Sequence, residues 1–352
     1  MRHLLVFRFS AMGDVALVAP VLLGVVRQYE DVHITLVTRP KFAIFFENME
    51  RVTVVAADVD TVYKGAKGLY FLYKKINEDA NTYAAIIDLH DHLRTHILGV
   101  YFKIANFFTF KNNTQFVVFN KGRKEKKALI GHDNLQQLPH TTQRYADAFA
   151  SVGFPIALPE TPIFQFIPIK NNVNKSNAAK RNLKIGIAPF AKHAVKEWQF
   201  SKVNELVIAL ISEYPTIEIT FFGGGGGEAR KLQTLCNFHP ENTVLAAGKF
   251  GIKEEIALMQ TLDVMLCMDS SNMHLAALAG VKTVTIWGAT HAAAGFAAYG
   301  APHRNVAISP EELPCRPCSV FGDKPCARGD NACMQRIDVE MVLRELRPLN
   351  FI

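Results

Sequence analysis

Short apolar runs rich in β-branched and aromatic residues recur along the chain, separated by longer stretches with helical spacing. Residues 4–9, 33–37, 52–56, 84–89 and 115–119 predict strands in the first half. Residues 14–28 predict a helix whose near-continuous apolar positions pack against a sheet, and 68–79 and 140–152 carry further helical patterns. This alternation is the signature of parallel βα units. It breaks over 158–184, where Pro159, Pro162, Pro168 and a polar run over 171–181 have the composition of an interdomain linker. It then resumes, with strands near 184–188, 216–222, 264–268 and 283–287 and helices near 202–213, 228–236, 253–261 and 273–279. The predicted organisation is one α/β domain over 1–157, a linker over 158–183, a second α/β domain over 184–335 and a closing helix over 336–352. A ligand site is expected between the halves, outside the carboxyl ends of the strands.

Composition narrows the picture modestly. A length of 352 residues fits two domains, and 49% apolar with 20% charged residues describes a globular chain rather than a disordered or collagenous one. The 39 Lys+Arg exceed the 32 Asp+Glu by seven, which favours an anionic partner. The basic residues are too dispersed to indicate nucleic acid. The apolar run over 4–7 is too short for a signal-peptide core before Arg8 interrupts it. The longest apolar stretch, 15–26, contains Pro20 and Gly24 and falls short of the roughly 20 residues a bilayer span needs. A cytoplasmic protein with at most peripheral membrane contact is expected.

Candidate chemistry sits where strands give way to helices. Arg8, Ser10, Gly13 and Asp14 belong to a strand end, a small-residue turn and a helix start. Gly13 permits close backbone approach, and Asp14 is either a helix cap or a proton acceptor. In the second half, Asp269, Ser270, Ser271 and His274 open a small apolar helix, where hydroxyls and backbone N–H groups suit an anion; the alternative is an ordinary capped helix. Lys192 and Lys196 lie in the loop after the first strand of that half, either solvated or neutralising a phosphate. The glycine run from Gly223 to Gly227, followed by Glu228, does not give G-x-G-x-x-G, and no G-K-[ST] occurs, so dinucleotide dehydrogenases and P-loop NTPases lose support.

Three further features have bland alternatives. Asp58 and Asp60 match a D-x-D metal pattern that arises often by chance. The basic run 121–127 is a solvated loop or a contact for a phosphorylated acceptor or an anionic membrane. Cys315, Cys318, Cys326 and Cys333, spaced C-x2-C-x7-C-x6-C, suggest a structural zinc, with reduced thiols or a redox pair as alternatives.

Together the S-A-M-G-D opening, the K-x-W at Lys196 to Trp198, the glycine turn with Glu228, the D-S-S-x-x-H helix start and the W-G-A-T-H run from Trp287 to His291 resemble glycosyltransferase family 9, the ADP-heptose:lipopolysaccharide heptosyltransferases. The resemblance implies a GT-B architecture of two facing Rossmann-like domains with parallel sheets, whose last helix crosses back to the first. It implies inverting transfer of heptose from ADP-heptose to a lipopolysaccharide core or lipid A-linked acceptor, at the inner face of the inner membrane, with no metal required. Asp14 and Lys196 would be catalytic. Lys192, Gly223, Glu228, Asp269, Ser270, Ser271 and His274 would bind donor, and Arg8, Ser10, Gly13 and Arg94 acceptor. Another nucleotide sugar on the same fold, or a nucleotide-sugar-binding protein without turnover, are the competing expectations.

Overall fold

The computed structural model describes residues 1–78, 83–108, 114–130, 135–166 and 182–350. The middle of the expected linker, 167–181, lies outside them. The chain forms two compact units, Met1–Gly122 with Pro139–Pro159, and Arg123–Leu138 with Glu160–Ile352.

The first unit runs β1 (Arg2–Phe7), α1 (Met12–Ala16), α2 (Val18–Gln28), β2 (Val32–Thr38), β3 (Val52–Ala56), α3 (Gly65–Ile76), β4 (Tyr83–Asp88), α4 (Leu93–Phe108) and β5 (Gln115–Val118). After α5 (Arg123–Ile130), which belongs to the second unit, α6 (Thr141–Ala150) returns to the first. The strands make one parallel sheet in the order β3-β2-β1-β4-β5. A strand buried on both faces needs no polar alternation, and β1 accordingly runs Leu4, Leu5, Val6, Phe7 without a break.

The second unit runs β6 (Lys184–Ala188), α7 (Phe200–Glu213), β7 (Glu218–Phe221), α8 (Gly227–Phe238), β8 (Thr243–Leu245), α9 (Ile252–Met259), β9 (Val264–Met268), α10 (Ser271–Leu278), β10 (Lys282–Ile286), β11 (His303–Val306), α11 (Ala332–Gln335) and α12 (Val339–Asn350). Its sheet is parallel, ordered β11-β10-β9-β6-β7-β8. In both sheets the chain reverses its direction of winding beside the first strand, between β1 and β4 and between β6 and β9. Side chains leaving those strand ends meet no intervening crossover, so ligand sites of doubly wound sheets form there.

Four differences from the sequence expectation have physical causes. The helix expected over 14–28 is two helices, broken at Leu17. Pro20 has no N–H for the Ala16 carbonyl and its ring crowds that carbonyl, so the ladder stops there. The basic run that read as a loop contributes to α5, which packs on the second unit; the Lys126 ammonium lies 4.1 Å from the Phe296 ring centre. The two short edge strands β8 and β11 are additional to the expected set. The last helix packs within the second unit. Val342, Leu343 and Leu346 of α12 join the second unit's core beside α7, β9, β10 and β11, and Arg347 pairs with Glu213 of α7 at 3.0 Å.

Leu346 is wholly buried in that core. Leu346→Ala should destabilise the second unit by about 2–5 kcal/mol, read as a lower denaturant midpoint at unchanged slope. Wild-type stability would mean that α12 is not part of this core.

Candidate functional site

In the first unit, β1 exits through Arg8 and Phe9 into the turn that starts α1. The Arg8 side chain is 6% exposed, and both of its terminal nitrogens are engaged. It donates to the Leu89 carbonyl at the exit of β4, and its Nη2 pairs with Asp14 Oδ2 at 2.7 Å. The guanidinium also lies 5.6 Å from the Tyr145 ring centre and 5.8 Å from that of Phe119. Burial works against the cation, but Asp14, Tyr145 and Asp88 outweigh it and hold the Arg8 pKa above its ordinary value.

Asp14, a third exposed, receives a second bond on the same oxygen from the Ala11 N–H at 3.2 Å. Oδ2 thus takes both bonds, and Oδ1 is the oxygen left for a substrate. Arg8, expected among acceptor ligands, holds protein partners with Nη1 and Nη2, while its buried Nε has none among the described residues. Arg94, the other expected cationic ligand, pairs at 2.9 Å with Asp60, which Arg39 also holds at 2.8 Å. Asp58 accepts from the Asp60 and Thr61 N–H groups and from the Thr61 hydroxyl. Asp58 therefore serves its own turn, and Asp60 pairs with two arginines from other parts of the unit.

His90 lies beside these residues, among none of the motifs that the sequence marked. Its Nδ1 accepts from the Phe9 N–H, and Nε2 stands 3.4 Å from Ser10 Oγ. Asp88 fixes the loop by accepting from the N–H groups of His90 and Asp91 and from the Thr95 hydroxyl. Burial, aided by Arg8, pushes the His90 pKa down to about 3.

In the second unit, β6 leads into a loop closed by a single 3-10 turn, Ala194–Lys196, and β9 leads to Asp269 and α10. Lys196 Nζ meets Asp269 Oδ2 at 2.8 Å, both side chains being nearly buried. The Thr290 hydroxyl donates to the same oxygen at 2.8 Å. Gly322, at φ +72°, lies flat on the lysine stem, where a Cβ would come within 2.5 Å of Lys196 Cε. Ser270 precedes α10, and its buried Oγ has no hydrogen-bond partner among the described residues; Ser271 starts the helix and His274 is buried one turn on. An orphaned hydroxyl beside a helix start and a lysine is what an anionic ligand would satisfy.

Lys192 lies earlier in the same loop and lines an open cavity of about 520 Å³ with His193, Gly322 and Lys324. The glycine turn before α8 uses Gly226 at φ +66°, a conformation glycine adopts without strain. Glu228 folds back on this turn, accepting from the Gly224 N–H at 2.7 Å beside Gly223.

The four C-terminal cysteines are free thiols, and among the described residues no three His, Cys, Asp or Glu side chains are grouped to hold a metal ion. The buried Arg316 nearby donates to the carbonyls of Gly288, Trp287, Thr290 and Ile308, and Cys315, Cys318 and Cys333 act on its charge. Burial raises the thiol pKa of Cys318 and Cys333, and Cys333 packs in the core.

Two doubly wound parallel domains in one chain, each with charged groups gathered at its switch point, define the fold class of GT-B glycosyltransferases. The chain belongs to glycosyltransferase family 9 (heptosyltransferase), whose model matches residues 72–324. It is 22% identical to the lipopolysaccharide core heptosyltransferase OpsX of Haemophilus influenzae, over 99% of this chain and 97% of that one. In fold it resembles a family 9 glycosyltransferase from Veillonella parvula (TM-score 0.71, 18% identity, covering 99% of this chain and 97% of that one). It also resembles Escherichia coli heptosyltransferase WaaC with ADP (TM-score 0.68, 15% identity, 99% of each chain). The protein is thus a glycosyltransferase of the heptosyltransferase family.

A free histidine titrates near 6.5, so the unfolded chain binds a proton at His90 before the folded one does. The stability from burying this neutral ring is present above that pH and lost as pH falls toward about 3. The His90 ring resonances should stay at neutral positions from about pH 8 to 5 in an NMR titration. A midpoint near 6.5 would contradict the buried placement.

Proposed function

We propose that the protein transfers heptose from ADP-heptose to a lipopolysaccharide core or lipid A-linked acceptor, with inversion, by direct displacement and without a metal. The observation that carries the reading is the Arg8–Asp14 pair, which fixes one carboxylate oxygen at the exit of β1 and leaves the other for a substrate proton. The names of the relatives support it: OpsX is named for the lipopolysaccharide core, and the WaaC structure holds ADP.

In this mechanism the first unit receives the acceptor and the second the donor. The acceptor oxygen attacks the anomeric carbon while its proton passes to Asp14 Oδ1. The bond from that carbon to the diphosphate breaks, and its electron pair leaves on the ADP oxygen. Lys196, Ser270, Ser271 and the start of α10 meet the negative charge that develops there. Thr290 holds Asp269, and Asp269 in turn aims the Lys196 ammonium while facing the sugar hydroxyls. Carboxylates are weak bases in water, so Asp14 works best when bound substrate excludes solvent from it. His90, kept neutral by burial, places no second cation beside the acceptor and competes with no proton transfer.

The engagement of Glu228 by its own turn favours one subsidiary reading, in which base recognition is loose and other nucleotide sugars enter the site. Diphosphate release from ADP-, GDP- and UDP-sugars, with and without a lipid A–core acceptor, separates the two: acceptor-dependent release is expected with ADP-heptose above all others. Release with none of them would identify a binding protein.

Asp14→Asn keeps the shape of the site but removes the proton acceptor. Its kcat should fall by about 10²–10⁴-fold, with ADP-heptose affinity by calorimetry unchanged; turnover near wild type would refute the role. EDTA should leave turnover intact. Inhibition that Mg²⁺ reverses would contradict transfer without a metal.

A further inference from the structure

The paired helices α3 and α4 of the first unit carry a surface that neither the fold nor the transfer reaction explains. On α4, Leu93, Val100, Ile104 and Phe107 follow one another at helical spacing on the solvent side, Phe107 72% and Leu93 68% exposed. On α3, Tyr70 and Phe71 are also exposed, and Tyr70 contacts Tyr73 and Tyr101 to join the two helices in one aromatic cluster. The opposite faces are ordinary core: Leu69, Leu72, Ile76, Leu98 and Phe102 cluster with Leu5, Phe7, Val37 and Ile86 of the sheet's central strands.

The charges on this surface have one sign. Lys67, Lys74, Lys75 and Lys103 are exposed, and neither helix contains an Asp or a Glu, in a chain that has 32 of them. The sequence as a whole disperses its basic residues, but α3 interleaves lysines with aromatics, and the Lys74 ammonium lies 5.0 Å from the Tyr70 ring centre.

We infer that the outer face of α3 and α4 docks the protein on an anionic lipid bilayer. An apolar stripe enters the boundary between headgroups and acyl chains, tyrosines settle at the headgroup level, and lysines meet the lipid phosphates; this face holds all three. A second copy of the chain would set lysine against lysine across the contact. A nucleic acid would use the lysines and rings but leave the aliphatic stripe of α4 in water. The bilayer alone satisfies stripe and charge together. The inference deepens the proposed function, since a lipid-linked acceptor reaches the enzyme from that surface, and it rests on that reading only for its biological purpose.

Two full-length variants test it, the stripe triple Val100→Ser, Ile104→Ser, Phe107→Ser and the charge triple Lys67→Glu, Lys74→Glu, Lys75→Glu. The probe is co-sedimentation with vesicles of phosphatidylethanolamine and phosphatidylglycerol, beside vesicles of phosphatidylcholine alone. Wild type should prefer the anionic vesicles, and each triple should bind them at least about tenfold more weakly, while melting temperature and turnover on a deacylated, water-soluble acceptor stay at wild-type values. Equal or absent binding of wild type to both vesicles, or a stripe variant that binds like wild type, overturns the inference. So does a wild-type dimer in solution that the stripe variant dissociates, which would give the face to a second copy. Vesicle binding without turnover on any acceptor would sustain this surface and overturn the transferase reading instead.

Discussion

A buried guanidinium organises the first unit's site. Arg8 has left water, and such a cation persists only where acceptors and aromatic faces offset its lost hydration. The exit of β4 supplies the Leu89 carbonyl, α6 supplies the Tyr145 ring, and the start of α1 supplies Asp14. With Arg8 buried and Asp14 a third exposed, the pair is held from the arginine's side. The consequence for chemistry is that the Asp14 carboxylate has a fixed address, with one oxygen committed and the other available.

The second unit repeats the device with different residues. Lys196, from the loop after β6, crosses the switch point to Asp269 at the exit of β9, and Thr290 beyond β10 pins the carboxylate. In each unit a cation from the first strand's exit reaches the exit of the strand across the reversal, the one place where a doubly wound sheet leaves neighbouring strand ends uncovered. The sheets are therefore more than scaffolding: their strand order decides which residues, distant in sequence, become partners. Arg8 and Leu89 stand 81 positions apart, and Lys196 and Asp269 stand 73 apart.

Much of this was legible in the pattern of residues, because buried parallel strands are continuous apolar runs and helices packed on them have a marked period. Among the described residues nine of the eleven strands lie where the pattern puts them, whereas β8 has three residues and β11 is a mostly exposed His-Arg-Asn-Val edge, too short or too polar to register. Helix α4 escaped for the opposite reason. Its outward face is as apolar as its inward one, so the contrast that marks an amphipathic helix is weak, and the same feature is what suits it to a bilayer. At the site, residue types were readable but their pairings were not. Arg8 was legible as a functional type, but not that the fold sets it against Leu89 and Asp14. The cysteine spacing likewise records distance along the chain and not which charges, Arg316 among them, the fold brings near the sulfurs.

If Arg8 matters by placing Asp14, position must count as well as charge. Asp14→Glu keeps the carboxylate and its attraction to Arg8 but shifts the oxygens by one methylene. Rapid-quench measurement of a single turnover, with ADP-heptose and acceptor bound beforehand, isolates the chemical step from binding and release. The account predicts a rate constant about 10²-fold below wild type at unchanged donor affinity. A rate constant equal to wild type would show that the fixed carboxylate does not take the proton, and would contradict the account at its centre.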